Sequence, residues 1–356
     1  IPRMKIAFLN DTHCGIRNSS EIFLKNHEDF YSKVFFPYLL ENDIKQIIHL
    51  GDYYDHRKFI NFKAMNHNRK FFLEPLRKHG IKMDIIPGNH DTYYKNTNDL
   101  NSLKELFGYF TSEISIIMQP RVMEYGGMKI GLLPWINPEN YDKSMDFVRT
   151  CDTDILGAHL ELNGFDLMRG VKATDGMDHK LFNRFEMVIS GHYHTKSQKD
   201  NIYYLGSQME FFWSDAGDPK YFHVLDTETR QLEAVRNPCT LFEKVVYDDE
   251  KTEYNDFDTS VFDGKFVKVV VVNKKDAFIF DRFIDRVQNQ DIHELKIAEN
   301  FEDFSGDNVA DDDISFEDTG ELLSSYVDAV DTELDKDRIK SQLRELMTEA
   351  QTLEIA

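Results

Sequence analysis

Eight side chains able to hold a metal ion or move a proton stand at the ends of five short apolar runs. Ile6-Ala7-Phe8-Leu9 leads into Asn10, Asp11 and His13. Ile47-Ile48-His49-Leu50 leads into Gly51-Asp52, with Asp55 three residues on. Ile85-Ile86 leads into Gly88-Asn89-His90-Asp91. Asp154-Ile155-Leu156 leads into Gly157-Ala158-His159. Met187-Val188-Ile189 leads into Gly191-His192 and then His194. In an extended chain residues two apart point to one side, so Asp11/His13 and His192/His194 each read as a chelating pair. Carboxylate, amide oxygen and imidazole without thiolate suit Mn²⁺, Fe²⁺ or Zn²⁺ with five or six ligands, and suit Ca²⁺ or Mg²⁺ less. Asp11, His13, Asp52, Asn89, His159, His192 and His194 exceed what one ion needs. Two ions about 3.5–4 Å apart, sharing a bridging carboxylate, would use them all.

A histidine on a strand more often serves as hydrogen-bonded core. His49, inside its apolar run, and His223 are expected to do so. His27, His56, His67, His79, His179 and His293 lack motif context and are expected in packing or at the surface. The three cysteines, Cys14, Cys151 and Cys239, are too far apart for a disulfide framework or a thiolate zinc site. They suit a reducing, cytoplasmic setting, and Cys14 reads as a small packed residue.

The elements that must position these residues alternate. Segments 21–41 and 61–79 space apolar residues three and four apart, as helices do, between the apolar runs that read as strands. Strands alternating with helices imply parallel pairing, and ligands of such sheets collect beyond the carboxyl ends of the strands. Arg121–Tyr125 and Met128–Leu133 flank Gly126-Gly127, a hairpin signal. Ile202–Leu205 and Tyr221–Leu225 read as further strands. The expected fold is α/β, a two-sheet sandwich flanked by helices over residues 4–236. A small α/β capping domain would follow over 237–301, with a strand at Phe266–Val272, a helix at Phe278–Val287 and a strand at Ile292–Ile297. Residues 302–315 read as an acidic linker. Residues 316–353 read as helices, with Leu322, Leu323, Tyr326 and Val330 on one face and Leu343 and Leu346 on another.

The chain has 356 residues and a formal net charge of −21. Residues 301–356 hold 17 Asp and Glu against four Lys and Arg, so most of that charge belongs to the tail. Residues 56–78 run the other way, with seven Lys and Arg against one acid, Glu74. A local basic patch can hold phosphate whatever the overall balance. No apolar run approaches the ~20 residues of a membrane span, nothing at the start resembles a signal peptide, and Met4 reads as the natural start.

Asp11-x-His13, Gly51-Asp52-x-x-Asp55, Gly88-Asn89-His90-Asp91, Gly157-Ala158-His159 and Gly191-His192-x-His194 resemble, in order, the five motifs of the calcineurin-like metallophosphoesterases. The resemblance implies one ion on Asp11, His13 and His194, another on Asn89, His159 and His192, and Asp52 between them. It implies a shared water activated for in-line attack on phosphorus, with His90 facing the leaving oxygen and Asp55 orienting His90. Some nuclease relatives carry His at the position of Asp55.

Finer likeness narrows the family. Asp55-His56-Arg57-Lys58, Asn89-His90-Asp91 with Tyr94-Lys95-Asn96, Glu161–Phe165 and Leu205-Gly206-Ser207 resemble the nuclease subunits of SbcC–SbcD-type repair complexes. They are most similar to the small recombination-endonuclease subunits of T-even-like bacteriophages. That resemblance implies a Mn²⁺-dependent DNA exo- and endonuclease with two ions, in the cytoplasm of the host cell. It implies DNA contacts from the basic stretch at Arg57, Lys58, Lys63, Arg69 and Lys70. It also implies an SMC-like coiled-coil ATPase docked on Leu322, Leu323, Tyr326, Val330, Leu343 and Leu346. A homodimer is implied too, with helices at 60–78 and 98–110 (Leu100, Leu103, Leu106, Phe107, Phe110) as the contact, although the same apolar positions could equally be intramolecular core. The rival readings are a phosphatase or small phosphodiesterase of the same fold, and an inactive scaffold.

Overall fold

The computed structural model describes residues 3–168, 171–299, 327 and 334–353. The described residues fall into two compact units. The first comprises residues up to Glu243 together with Gly264–Phe266. It is built on two six-stranded sheets. The first sheet runs in the order Leu232–Asn237, Lys220–Asp226, Lys5–Leu9, Gln46–His49, Lys82–Ile85, Ile114–Ile116. From Lys5–Leu9 to Ile114–Ile116 its strands are parallel. The second runs Ser197–Lys199, Ile202–Tyr204, Met187–Gly191, Ile155–His159, Met128–Leu133, Arg121–Tyr125, with four parallel strands at its centre.

Alternation along the strands assigns each face. Ile6, Phe8, Ile48 and Leu50 meet Ile130, Leu132, Ile155 and Ile189 in the layer between the sheets. Their neighbours Ala7, Leu9, Ile47 and Met83 point outward into a core with Phe23, Phe30, Phe35 and Phe72. On the far side Leu133, Leu156, Ala158 and Val188 pack against Met145, Val148, Phe182 and Phe185. This makes a four-layer sandwich, helices outside both sheets, as the alternating pattern predicts. Each fully buried Leu, Ile or Phe contributes about 1.5–3 kcal/mol. Gly126 and Gly127 carry φ of 53° and 80°, the two left-handed residues a tight hairpin of that twist demands.

Both predicted long helices form, each with a widened turn. Glu21–Asp29 passes through a π-helical stretch, Phe30–Phe35, into Phe36–Glu41. Phe62–Asn68 passes through Arg69–Leu73 into Glu74–His79. Each wide stretch ends just before a proline at the second position of the next segment, Pro37 or Pro75. Proline has no N–H to donate and its ring crowds the carbonyl four residues back; a wider turn accommodates both without ending the helix.

Leu103, Phe107 and Phe110 are buried in this unit's own core. Of their two open readings, dimer face and core, these three take the core, because the helix here spans only Ser102–Leu106 and turns its apolar side inward. Phe62 and Met65, on the other expected helix, are exposed. Phe242 packs within the first unit against Phe23 and Trp213, so this unit extends past Arg236.

The second unit holds the helix Ala277–Gln288 and most of a three-stranded sheet ordered Phe242–Asp248, Phe266–Asn273, Glu294–Ala298, whose first two strands begin in residues of the first unit. The Asp276 side chain accepts from the amides of Phe278 and Ile279 and starts that helix. Tyr247, Val267, Val269, Phe280, Phe283 and Ile284 form its core. A further helix spans Lys336–Leu353, on which Leu343 is half-buried and Leu346 exposed. The expected linker at 302–315, and Leu322, Leu323, Tyr326 and Val330, lie outside the described residues. No described helix is long and apolar enough to cross a membrane.

Candidate metal centre

Five loops leave the carboxyl ends of five strands, three from one sheet and two from the other. All seven predicted ligands converge there, in two groups. In the first, Nε2 of His13 and Nε2 of His194 are 3.1 Å apart. Oδ1 of Asp11 lies 3.9 Å and 3.8 Å from those two nitrogens. In the second, Oδ1 of Asn89 lies 2.8 Å from Nε2 of His159 and 3.1 Å from Nδ1 of His192. Oδ2 of Asp52 faces both groups, 3.9 Å from Nε2 of His13 and 3.4 Å from Nε2 of His159. Donors at about 2.1 Å from one hard cation stand about 3 Å apart when adjacent. The residues therefore fit two ions with a shared carboxylate.

The backbone reaches this arrangement through a conformation that spacing did not reveal. Asp11, His13, Asp52 and His192 all have positive φ, at 48°, 45°, 56° and 99°. Asp11 and His13 still share a group, but through left-handed turns and not along an extended chain. His192 and His194 part company, one to each group, because the strand ends at Gly191 and the chain turns at His192. The extended-chain reading of that pair is thereby corrected.

Two glycines let the Asp52 and Asn89 loops interleave. A Cβ on Gly88 would stand 2.2 Å from Oδ1 of Asp52 and 2.4 Å from its amide nitrogen. One on Gly51 would stand 2.6 Å from the amide nitrogen of Gly88. Asp91 then ties the loops together. Its carboxylate accepts from the amides of Asp52, Tyr53, Tyr54 and Gly88 at 2.8–3.2 Å. The amide of His90 donates to Oδ1 of Asp52 at 2.8 Å.

Two of the imidazoles are oriented by their far nitrogen, the arrangement that makes histidine an effective ligand. Nδ1 of His159 donates to the carbonyl of Leu50 at 2.8 Å, which leaves Nε2 for the centre. Nδ1 of His13 lies 3.2 Å from Oδ1 of Asp55. The carboxylate of Asp55 thus faces His13 and also stands within 4.8 Å of a ring nitrogen of His90, while its backbone carbonyl accepts from Nδ1 of His90 at 2.8 Å.

The electrostatics favour cations. Burial pulls the imidazole of His13 down, but the Asp55 contact and the charges of Asp52 and Asp11 raise it to about 9. Burial is likewise outweighed at His159, where Asp52 and Asp11 raise it to about 10. Burial opposes ionisation of Asp52, yet His159, His90 and His13 hold its carboxyl well below the usual range. A buried pocket of carboxylates that attracts protons this strongly attracts divalent ions by the same field.

Several supporting residues carry no motif. Asn10 donates through Nδ2 to Oδ2 of Asp11 at 2.6 Å, and Gln208 holds Asn10 from both sides. Lys220 is buried, with Nζ at 2.9 Å from Oδ1 of Asp215, 3.1 Å from Oδ2 of Asp218 and 2.9 Å from the carbonyl of His194. All three ammonium protons thus have acceptors, and one fixes the backbone of a predicted ligand. Oδ2 of Asp215 in turn accepts from the amides of Phe211 and Phe212. The rings of those residues lie against His13 and His194. Gln208 adjoins the quoted Leu205-Gly206-Ser207 and could have been suspected; a single lysine at the start of a strand gives no signal. His49, as expected, is core. Nδ1 accepts from the amide of Gly51 and Nε2 meets the hydroxyl of Thr12, while burial pushes its pKa down to about 3.

The basic stretch is divided. Arg57 reaches the carbonyl and hydroxyl of Thr92 and lies over the Trp135 ring, and Lys58 lies over the Tyr93 ring, both beside the Asn89–Asp91 loop. Lys63 is paired with Glu21, Arg69 with Asn66 and Glu74, and Lys70 lies over Phe71.

Comparison with known proteins adds three findings. The calcineurin-like phosphoesterase description matches residues 4–196. Exonuclease subunit 1 of Enterobacteria phage T4 is 28% identical over 337 residues, covering 94% of this chain and 95% of its own. The solved structure of an archaeal phosphodiesterase matches at 14% identity with a TM-score of 0.34, over 66% of this chain and 100% of that one. At that TM-score the last likeness carries no weight.

Proposed function

This chain belongs to the calcineurin-like phosphoesterase family, and from that premise we propose that it is a metal-dependent DNA nuclease subunit that hydrolyses phosphodiesters in recombination and end processing. The observation that carries the two-ion reading is the position of Asp52, whose Oδ2 lies within 4 Å of donors in both groups. DNA as substrate is supported by the T4 exonuclease subunit, whose likeness covers 94% of this chain and so continues well past the metal-bearing unit. A small phosphodiesterase needs no such continuation.

We assign one ion to Asp11, His13 and His194 and the other to Asn89, His159 and His192, with Asp52 between them. When bound, a pair of divalent ions, Mn²⁺ in our reading, supplies a water of lowered pKa and neutralises charge on the phosphoryl oxygens. His90 has Nδ1 committed to the carbonyl of Asp55. Its Nε2 is the nitrogen that serves the leaving oxygen, donating a proton or stabilising charge there. Arg57 and Lys58, beside the Asn89–Asp91 loop, hold the substrate backbone. The subunit acts in the host-cell cytoplasm as a homodimer, with exposed Phe62 and Met65 at the contact. An SMC-like ATPase binds the C-terminal segment, residues 316–353.

The test is wild type and His90→Ala with end-labelled DNA and Mn²⁺. The variant should bind both ions and lose cleavage by roughly 10²–10⁴-fold. Fast turnover of a nitrophenyl phosphate with no DNA cleavage would place the chain among the phosphatases instead. No hydrolysis with any metal would make it a scaffold.

A further inference from the structure

A cleft of about 150 Å³ opens beside the metal centre, between the Gly15–Ser19 turn and the Tyr54–Asn61 loop. Its floor is the pair of segments that carry His13 and Asp55. The amide of Cys14 donates to the carbonyl of Tyr53 at 2.7 Å, and the amide of Asp55 to the carbonyl of Cys14 at 3.1 Å. The cleft therefore begins one residue from His13 and from Asp55.

One wall is strained. Arg17, Asn18 and Ser19 have φ of 57°, 56° and 56°, three consecutive left-handed residues with side chains. L-residues avoid such runs, and they persist only where surroundings over-determine them. Here the amide of Ser19 donates to the carbonyl of Gly15 and that of Ser20 to the carbonyl of Arg17. The guanidinium of Arg17 lies over the rings of Phe23 and Phe212 at 5.4 Å and 5.5 Å. The result holds Asn18 and Ser19 at the edge of the cleft.

The opposite wall is aromatic. Phe59 is 64% exposed and stacks on His56 with ring centroids 4.3 Å apart and planes 24° apart. Between them Arg57 and Lys58 anchor the loop on Thr92 and Tyr93. A phenylalanine held out of the core, flat against a second ring, is a stacking platform. No Lys, Arg, Asp or Glu lines the cleft, and its one imidazole, His56, is stacked on Phe59, so the lining offers a base a flat face more than it offers a phosphate a cluster of cations. Asn18, Ser19 and Asn61 add neutral polar groups, the kind that read the edge of a base.

Building on the proposed DNA substrate, we propose that this cleft takes an unpaired nucleobase adjoining the phosphodiester at the metal centre, stacked on Phe59. A base inside a duplex is already paired and stacked, so the site favours a frayed end or a single strand.

The test compares a single-stranded oligodeoxynucleotide with the same strand built of abasic tetrahydrofuran units, both in Mn²⁺, for wild type, Phe59→Ala and Phe59→Trp. Wild type should cleave the base-bearing strand with kcat/KM roughly ten-fold above the abasic one. Phe59→Ala should lose that preference and Phe59→Trp should keep it. Equal losses on both strands would overturn the subsite and, if sedimentation also shows dissociation, would mark Phe59 as a dimer contact. An unchanged preference in Phe59→Ala would overturn it as well. If wild type cleaves neither strand but hydrolyses bis(p-nitrophenyl) phosphate, the DNA reading itself falls and the subsite with it.

Discussion

The carboxylate of Asp55 is directed at His13: its Oδ1 lies 3.2 Å from Nδ1 of that ring. The contact turns Nε2 of His13 toward His194 and Asp52. Asp55→Ala should therefore weaken Mn²⁺ binding by roughly 10–100-fold, the usual effect of losing an outer-shell carboxylate. The hydrogen bond from Nδ1 of His90 should survive, because the backbone carbonyl of residue 55 accepts it. Calorimetric titration of the two ions checks this. Full affinity with cleavage alone reduced would return Asp55 to the service of His90.

Gly88 permits the closest approach in the site, and an added methyl would fall 2.2 Å from Oδ1 of Asp52. Gly88→Ala should displace Asp52 from between the two groups and cost about 1–3 kcal/mol through overpacking. The readouts are metal stoichiometry and the urea midpoint. Two ions bound at wild-type affinity would show that the loops can part without cost.

Lys220 neutralises Asp215 and Asp218 inside the protein. Lys220→Met keeps the length of the side chain and leaves the buried carboxylate of Asp215 and the half-buried one of Asp218 without a cation. Stability should fall by about 3–5 kcal/mol, measured by urea unfolding. The carbonyl of His194 also loses its donor, so Mn²⁺ affinity should fall as well. A variant of wild-type stability would mean that water replaces the ammonium.

Glu210 carries the pH dependence away from the metal ligands. Burial raises its carboxyl to about 7, against the hydrogen bonds from the amides of Phe242 and Leu241 that favour the carboxylate. In the unfolded chain a glutamate titrates near 4.3. The folded state therefore holds this proton more tightly. The resulting stabilisation is full below about pH 4.3 and is lost as the pH climbs through 7, amounting to about 4 kcal/mol. Glu210→Gln cannot ionise, keeps an oxygen for the two amides, and should remove this fall. Thermal unfolding of both proteins between pH 5 and pH 8 should show the variant gaining on wild type as pH rises. Parallel curves would place the proton elsewhere.

Much of this was legible in the order of residues. The apolar runs Ile6–Leu9 and Ile47–Leu50 read as strands and the spacing of 21–41 and 61–79 as helices, which set helices against the sheet they form. Ligand-type residues at the ends of those strands had to meet at one edge, because parallel strands deliver their carboxyl ends together. The two glycines of the hairpin and the composition of the metal site were readable for the same reason: each depends on a few neighbouring residues.

What the sequence by itself determined, then, was which elements form and which side chains reach the centre. Only the tertiary structure decided how they are held there: that the chain turns through a positive φ at His192, that the carboxylate of Asp55 faces His13, that the apolar side of Ser102–Leu106 turns inward, and that Lys220 holds His194. These depend on left-handed turns and on partners far apart in the chain. His192 meets Asn89 across 103 positions, and Asn10 meets Gln208 across 198. Spacing along a strand carries local geometry, but contacts of that range exist only once the two sheets have packed.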